Sequence, residues 1–177
     1  MTVIDTERLL LRRLTEADAA FILALLTDAD FLAQVGDRGV HNLEDARRYV
    51  REGPAASYAR HGFGLNAIQL KRTSLPIGLC GLLRRDSHPD VEIGFALLPQ
   101  ARGQGLALEA AAATLSWGRN TLGLKRIVAL TAPNNAGSIR ILERIGLHFE
   151  RMVQYSADGR DSRLFVLESS VLPGAPS

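Results

Sequence analysis

Apolar and polar positions alternate along this chain in two different periods, and the changes of period mark its elements. "RLLLRRL", Arg8 to Leu14, reads as a first strand, with Thr15 or Asp18 placed to cap the next helix. In "DAAFILALLTD" the apolar residues Phe21, Ile22, Leu25 and Leu26 fall at helical spacing. A second helix is predicted through "LEDARRYVREG", with Leu43, Ala46, Tyr49 and Val50 on one face and Gly53-Pro54 as its stop. Asp28 to Val40 between them carries no periodicity. From Phe63 the texture changes to the apolar runs "FGLNAIQL", "PIGLCGLL" and "VEIGFALL". Turn-forming stretches at Lys71–Ser74 and Arg84–Asp90 separate them, so they read as successive antiparallel strands. "LALEAAAATLSWG" is alanine-rich, apolar nearly all round, and predicts a helix lying on a sheet and ending at Gly118. "LKRIVALTA" is a buried strand, and "NNAGSIRILERIG" a helix capped by Asn134 or Asn135, with Ile139, Leu142 and Ile145 inward and Gly146 at its end. "HFERMVQY" and "SRLFVLE" flank Ser156-Ala157-Asp158-Gly159, and Asp-Gly between two strands predicts a hairpin. The order lacks the regular alternation of a doubly wound sheet. It predicts a mixed α/β domain with one central, mostly antiparallel sheet flanked by helices.

At 177 residues the chain fits one domain, expected over 1–171, with "LPGAPS" from Leu172 to Ser177 as a frayed tail. A hydrophobic fraction of 46% and a charged fraction of 23% exclude disordered and fibrous classes. Lys+Arg 21 against Asp+Glu 19 leaves +2, too small a surplus to argue for a nucleic-acid or membrane surface. Only Lys71 and Lys125 are lysine among the basic residues, a bias read as coding rather than chemistry. The single cysteine, Cys80, excludes an intrachain disulfide framework and sits in an apolar run as a buried, inert thiol. No stretch reaches the ~18 uncharged apolar residues of a membrane span, and no charged, then apolar, leader opens the chain. A soluble protein of the cytoplasm is the expectation.

Candidate chemistry concentrates in Arg102, Gly103, Gln104, Gly105, Leu106 and Ala107, between a strand and a helix. Glycines there let the backbone approach an anion, and the helix start adds unpaired N–H groups and a positive dipole end. Arg102 would add a charge-assisted contact. This is not a P-loop, because no Lys-Ser/Thr pair follows Gly105. It is not the dinucleotide fingerprint either, because Leu108 stands where the third glycine belongs. By themselves the six residues fit a plain tight turn equally well.

The surroundings favour the anion reading. R-x-x-G-x-A after a strand containing "EIGF" resembles the coenzyme A diphosphate loop of the GNAT acetyltransferase superfamily. "PNNAGSIRILERIGLHFE" resembles that family's second signature, and "TERLLLRRLTEAD" resembles the start of its ribosomal-protein-alanine N-acetyltransferase branch. The resemblance spans about Thr6 to Glu168. It implies the GNAT fold, in which the sheet splays open and acetyl-CoA lies in the splay, with no metal. By this resemblance Arg102 to Ala107 would wrap the diphosphate, and Phe95 and Leu97 would pair with the pantetheine arm through their backbone. Asn135 would hydrogen-bond that arm from the far side, and Ser138 would face the thiol end. A homodimer is compatible with the family.

Acetyl transfer to an amine, by direct attack in a ternary complex, needs a base for the amine proton and an acid for the thiolate. Glu92 in "VEIGF" is a carboxylate in an apolar strand, where burial would raise its pKa and suit it to be the base. It also stands where many family members carry that base. The alternative is a surface Glu92 facing out while Val91, Ile93 and Phe95 face in. Where the family often has a tyrosine acid this chain has Leu142, so Ser138 is the remaining donor, directly or through water. A backbone N–H near Leu97 would hold the oxyanion. His41, His61, His88 and His148 show no ligand spacing, and Arg84 and Arg85 at a turn read as solvated. The expected acceptor is a primary amine, on a small molecule or a protein N-terminus; nucleic acid and membrane are not expected partners. An α-amine with a pKa near 8 is partly neutral already, whereas a lysine near 10.4 needs roughly three units, about 4 kcal/mol, from the site. The loss of the tyrosine leaves one competing reading, a domain that binds acyl-CoA as a sensor without turnover.

Overall fold

The computed structural model describes residues 1–168; the predicted tail and the expected domain end at 171 lie outside the described residues. Eight strands form one sheet: β1 (Thr2–Asp5), β2 (Leu9–Arg13), β3 (Leu65–Leu70), β4 (Leu75–Arg84), β5 (Val91–Leu97), β6 (Arg126–Thr131), β7 (His148–Val153) and β8 (Ser162–Glu168). Their order is β1-β2-β3-β4-β5-β6-β8-β7. Every pair is antiparallel except β5 with β6. The helices are α1 (Ala19–Leu26), α2 (Ala29–Gln34), α3 (Leu43–Val50), α4 (Ala56–His61), α5 (Leu106–Asn120) and α6 (Ala136–Arg144). The expected mixed, mostly antiparallel sheet flanked by helices is what forms.

Side chains alternate across the sheet, and each face has its own core. On one face Cys80, Leu82, Ile93, Ile127 and Phe165 pack beneath α5 and α6, whose Ala110, Ala111 and Leu142 are fully covered. Alanines let α5 settle close to the strands, as its composition implies. Cys80 is wholly buried, its Sγ 3.3 Å from Thr114 Oγ1, and burial pushes its thiol up to about 12, so it is the inert thiol expected. On the other face Ala67 and Leu79 pack with Ile22, Leu25, Ala46 and Val50 from α1 and α3.

Several local expectations are corrected. β1 precedes the predicted first strand, and the stretch expected to be irregular contains α2, capped by Asp28, whose carboxylate accepts from Phe31 N at 3.2 Å. Pro54 does not stop the second helix. The chain widens into a π-turn over Arg51–Ala55, which accommodates the missing N–H, and helix resumes as α4 until Gly62 at φ 81. Gly118 does not end α5 but lies inside it: a Cβ there would come within 2.9 Å of Leu82 Cδ1, so glycine serves close packing. The predicted hairpin of β7 and β8 forms, with a loop, 154–161, that extends beyond Ser156–Gly159 on both sides, since Val153 pairs with Ser162.

The joint between β5 and β6 positions the site. β4 and β5 pair along all of Val91–Leu97, and β6 pairs with β8 over its full length. Between β5 and β6 the only registered pairs are Val91 with Ile127 and Glu92 with Val128. Beyond Glu92 the two strands diverge.

Candidate active site

The divergence leaves one edge of β5 open. Leu98 N donates to Ile77 C=O at 2.8 Å, which directs the backbone of Ala96 to β4 and, by alternation, that of Phe95 and Leu97 into the gap. A cleft of about 1630 Å³ opens there, bounded by β5, the ends of β6 and α6, the α2–α4 region and the 154–161 loop. That exceeds a single drug-sized site of ~300–1,000 Å³, leaving room for two reactants side by side.

The glycine loop enters α5 at one end of this gap. Gly103 and Gly105 hold φ 74 and 75, values that carry strain for any residue with a Cβ, and Gly105 is the N-cap of α5. Among the described residues no intrachain acceptor takes the N–H of Gly103 through Leu108, six consecutive amides at a helix start. The loop is tied from behind: Arg8 donates from Nη1 to Gln104 C=O at 2.9 Å and from Nε to Glu109 Oε2 at 2.6 Å. Thr6 Oγ1 and Arg8 N also donate to Glu109 Oε1, at 2.7 and 2.9 Å. Burial works against the Glu109 charge, but these bonds hold its pKa below the usual range. The Arg102 side chain departs from the expectation. Its guanidinium turns to Asp28, at 2.8 Å, to Asp30 and to Leu97 C=O, at 3.0 Å, because two carboxylates at the start of α2 attract it. The cradle is therefore backbone, and the Leu97 carbonyl is already engaged.

Glu92 is buried at 5% exposure, together with Val91 and Ile93, because the sheet is covered on both faces; the surface alternative does not hold. Arg85 Nε donates to Glu92 Oε2 at 2.8 Å, and His88 Nε2 lies 3.3 Å from the same oxygen. Both contacts fall on Oε2, leaving Oε1 for another donor. Burial pushes the Glu92 carboxyl up, but the hydrogen bond with His88 and the charge and hydrogen bond of Arg85 outweigh it. Its pKa lies below the usual range, the opposite of the expected rise. His88 is itself buried and stacks on Tyr155, ring centres 5.0 Å apart. Arg85, read from sequence as solvated, and His88, read as one of four scattered histidines, are thus missed partners of Glu92. The available signal was the turn between β4 and β5, which folds residues 85 and 88 back over the start of β5.

Opposite β5, Asn135 caps α6, its side-chain oxygen accepting from Ser138 N at 3.2 Å. Asn135, Ser138 and Leu142 all line the cleft. Leu142 is fully buried and donates nothing from its side chain. His61 ends α4 on the far wall, stacked on Phe63 at 5.8 Å between ring centres, while His41 and His148 lie elsewhere. No cluster of metal-ligand side chains occurs among the described residues.

Residues 8–148 match the family model for the acetyltransferase (GNAT) domain. The chain belongs to the GNAT acetyltransferases. One similar relative in Bacillus subtilis (strain 168) is the uncharacterized N-acetyltransferase YoaA, 27% identical over 154 residues, covering 86% of each chain. Another is the uncharacterized protein YkkB of the same organism, 30% identical over 156 residues, covering 86% of this chain and 89% of that one. Among solved structures, an acetyltransferase from Agrobacterium tumefaciens superposes with a TM-score of 0.81 at 28% identity, covering 96% of this chain and 95% of the other. This GNAT protein is accordingly an N-acetyltransferase, and the binding-only alternative gives way. No helix among the described residues is long and apolar enough to cross a membrane.

Proposed function

We propose that this GNAT enzyme transfers acetyl from acetyl-CoA to a primary amine, on a small molecule or a protein N-terminus, by direct attack with both reactants in the cleft. The observation that carries the reading is the open edge of β5 between six acceptor-free amides and Glu92. Acetyl-CoA, when bound, supplies the acetyl group as a thioester. The amides of Gly103 to Leu108 bind its diphosphate with aligned donors and no lysine. The backbone of Phe95 and the Leu97 N–H orient the pantetheine arm along β5, and Asn135 lies across the gap. A backbone N–H near Leu97 stabilises the developing oxyanion.

Glu92 Oε1 accepts a hydrogen bond from the incoming amine and, with its depressed pKa, works as a fixed anion that holds and orients that group. Such a weak base takes a proton from an amine only once the nitrogen has begun to bond to carbon and become acidic. This arrangement suits acceptors already partly neutral, as an α-amine with a pKa near 8 is. Ser138 Oγ, on the first turn of α6, is the proposed donor to the leaving sulfur in place of the tyrosine that Leu142 replaces.

Gly105→Glu tests the cradle. It forces a residue with a Cβ into φ 75 and sets a carboxylate beside the Arg8 guanidinium that holds the loop, so acetyl-CoA affinity measured by calorimetry should fall at least a hundredfold with the far-ultraviolet spectrum preserved. Unchanged affinity would remove the loop assignment.

A further inference from the structure

Arg38, Arg85 and Arg160 line the cleft together with Glu92, and one of the three holds no carboxylate among the described residues. Arg85 is tied to Glu92 at 2.8 Å and Arg160 to Asp158 at 2.5 Å. Arg38, between α2 and α3, makes no hydrogen bond or ion pair among the described residues, yet the charges of Arg85, Glu92 and Arg160 all act on it. Arg160 reaches over from the 154–161 loop to Gly36, where a Cβ would collide with its guanidinium, so two separate loops bring these cations together. Tyr49 borders the same space; burial raises its pKa, although Arg38 and Arg85 oppose the rise, so its hydroxyl remains a donor at neutral pH.

The cleft as a whole is not positive, because acidic and basic side chains nearly balance around it. The excess is local. The like charges of Arg85 and Arg160 disfavour the Arg38 cation where it stands. Arg85 and Arg160 each already hold a carboxylate, so an incoming anion would pair with Arg38, whose planar guanidinium matches carboxylate or phosphate oxygens two at a time. Glu92 then stands a short way off to meet a positive or hydrogen-bonding amine.

We propose that the acceptor carries an anionic oxygen group, carboxylate or phosphate, a few bonds from its amine, with Arg38 as the residue that binds it and Glu92 facing the amine. This rests on the acetyl-transfer reading and narrows its substrate. Arg85 and Arg160 supply field, and Tyr49 supplies a further donor.

The test uses phosphoethanolamine and β-alanine as anionic probes, each with an acid group, and ethanolamine as the one that lacks it, titrated calorimetrically into the full chain with and without coenzyme A. Wild type should bind at least one anionic probe at least tenfold more tightly than ethanolamine; whichever is preferred identifies phosphate or carboxylate. Arg38→Gln should weaken that probe at least tenfold and erase its advantage, and Arg38→Lys should fall between the two. Circular dichroism and melting of both variants check folding, and Arg38→Lys keeps the charge should Arg38→Gln fold poorly. Equal binding of all probes, binding of none, or an anionic preference that survives loss of Arg38 overturns the proposal. The two readings fail separately. An Arg38-dependent preference without acetyl-CoA binding would refute acetyl transfer alone, and acetylation of ethanolamine as efficient as that of the anionic probes would refute the anionic acceptor alone.

Discussion

At the scale of single residues, Glu92 shows how little burial decides by itself. A carboxylate at 5% exposure in an apolar strand ought to have a raised pKa, yet Arg85 and His88 reverse the sign. Glu92 therefore stays ionised through and below the ordinary glutamate range. Its contribution to stability is present above the unfolded value, about 4.3, and is lost as pH falls through the lower folded one. Above pH 5 it adds no break to the pH–rate profile, whose rise should follow the acceptor amine. Glu92→Gln should cut kcat/KM by about a hundredfold or more without shifting that rise, as steady-state rates at pH 5–9 would show. A break near pH 6–7 that disappears in the variant would assign Glu92 a raised pKa and contradict the geometry. The numbers of the candidate residues were legible in the sequence because family motifs are short and local. The environment of Glu92 was not, because Arg85 and His88 act from another turn, and no periodicity reports which way a turn folds.

At the scale of elements, regular segments declared themselves and adaptations to packing did not. α5 and α6 were readable from alanine content, the Asn135 cap and the inward row of Ile139, Leu142 and Ile145. Pro54 was misread as a stop because local rules cannot anticipate that tertiary contacts will carry a helix through a π-turn. Tyr58, just beyond it, is one such contact. Its hydroxyl accepts from Leu14 N at 3.0 Å and donates to Leu65 C=O, joining α4 to the end of β2 and the start of β3, and burial pushes its pKa up to about 12. Tyr58→Phe keeps the ring but strands a backbone donor and an acceptor that water does not easily reach. The expected loss is about 1–3 kcal/mol, and Tm should drop by about 2–4 °C for each kcal/mol in a chain of this size. A melting curve unchanged within a degree would mean that these groups find other partners. Because α4 borders the cleft, a moderate loss of acceptor affinity should accompany the lower Tm.

At the scale of the whole molecule, the sheet is two units, β1–β5 and β6–β8 with β7 at its edge, joined through two registered residue pairs and a shared layer beneath α5 and α6. A molecule hinged at so few ladder bonds gains most from a ligand that lies along the seam. Acetyl-CoA at a hundred times its dissociation constant should add about 2.7 kcal/mol to the unfolding free energy. The distribution of that gain is more diagnostic than its size. Amides of Gly103–Leu108 and the outward amides of Phe95 and Leu97 should be strongly protected from hydrogen exchange, whereas β2–β4, fully paired without ligand, should change little. Glu109 links this response to the rest of the chain, since it receives Thr6 and Arg8 at the first turn of α5 and the same Arg8 grips Gln104. Glu109→Gln keeps the shape of the side chain but removes its charge, so Arg8 loses its ion-pair partner and its hold on the loop. Protection of Gly103–Leu108 by acetyl-CoA should then fall together with affinity, while protection within β3 and β4 stays. Uniform protection over both halves of the sheet, or an unaltered response in Glu109→Gln, would mean that the ligand binds away from the seam.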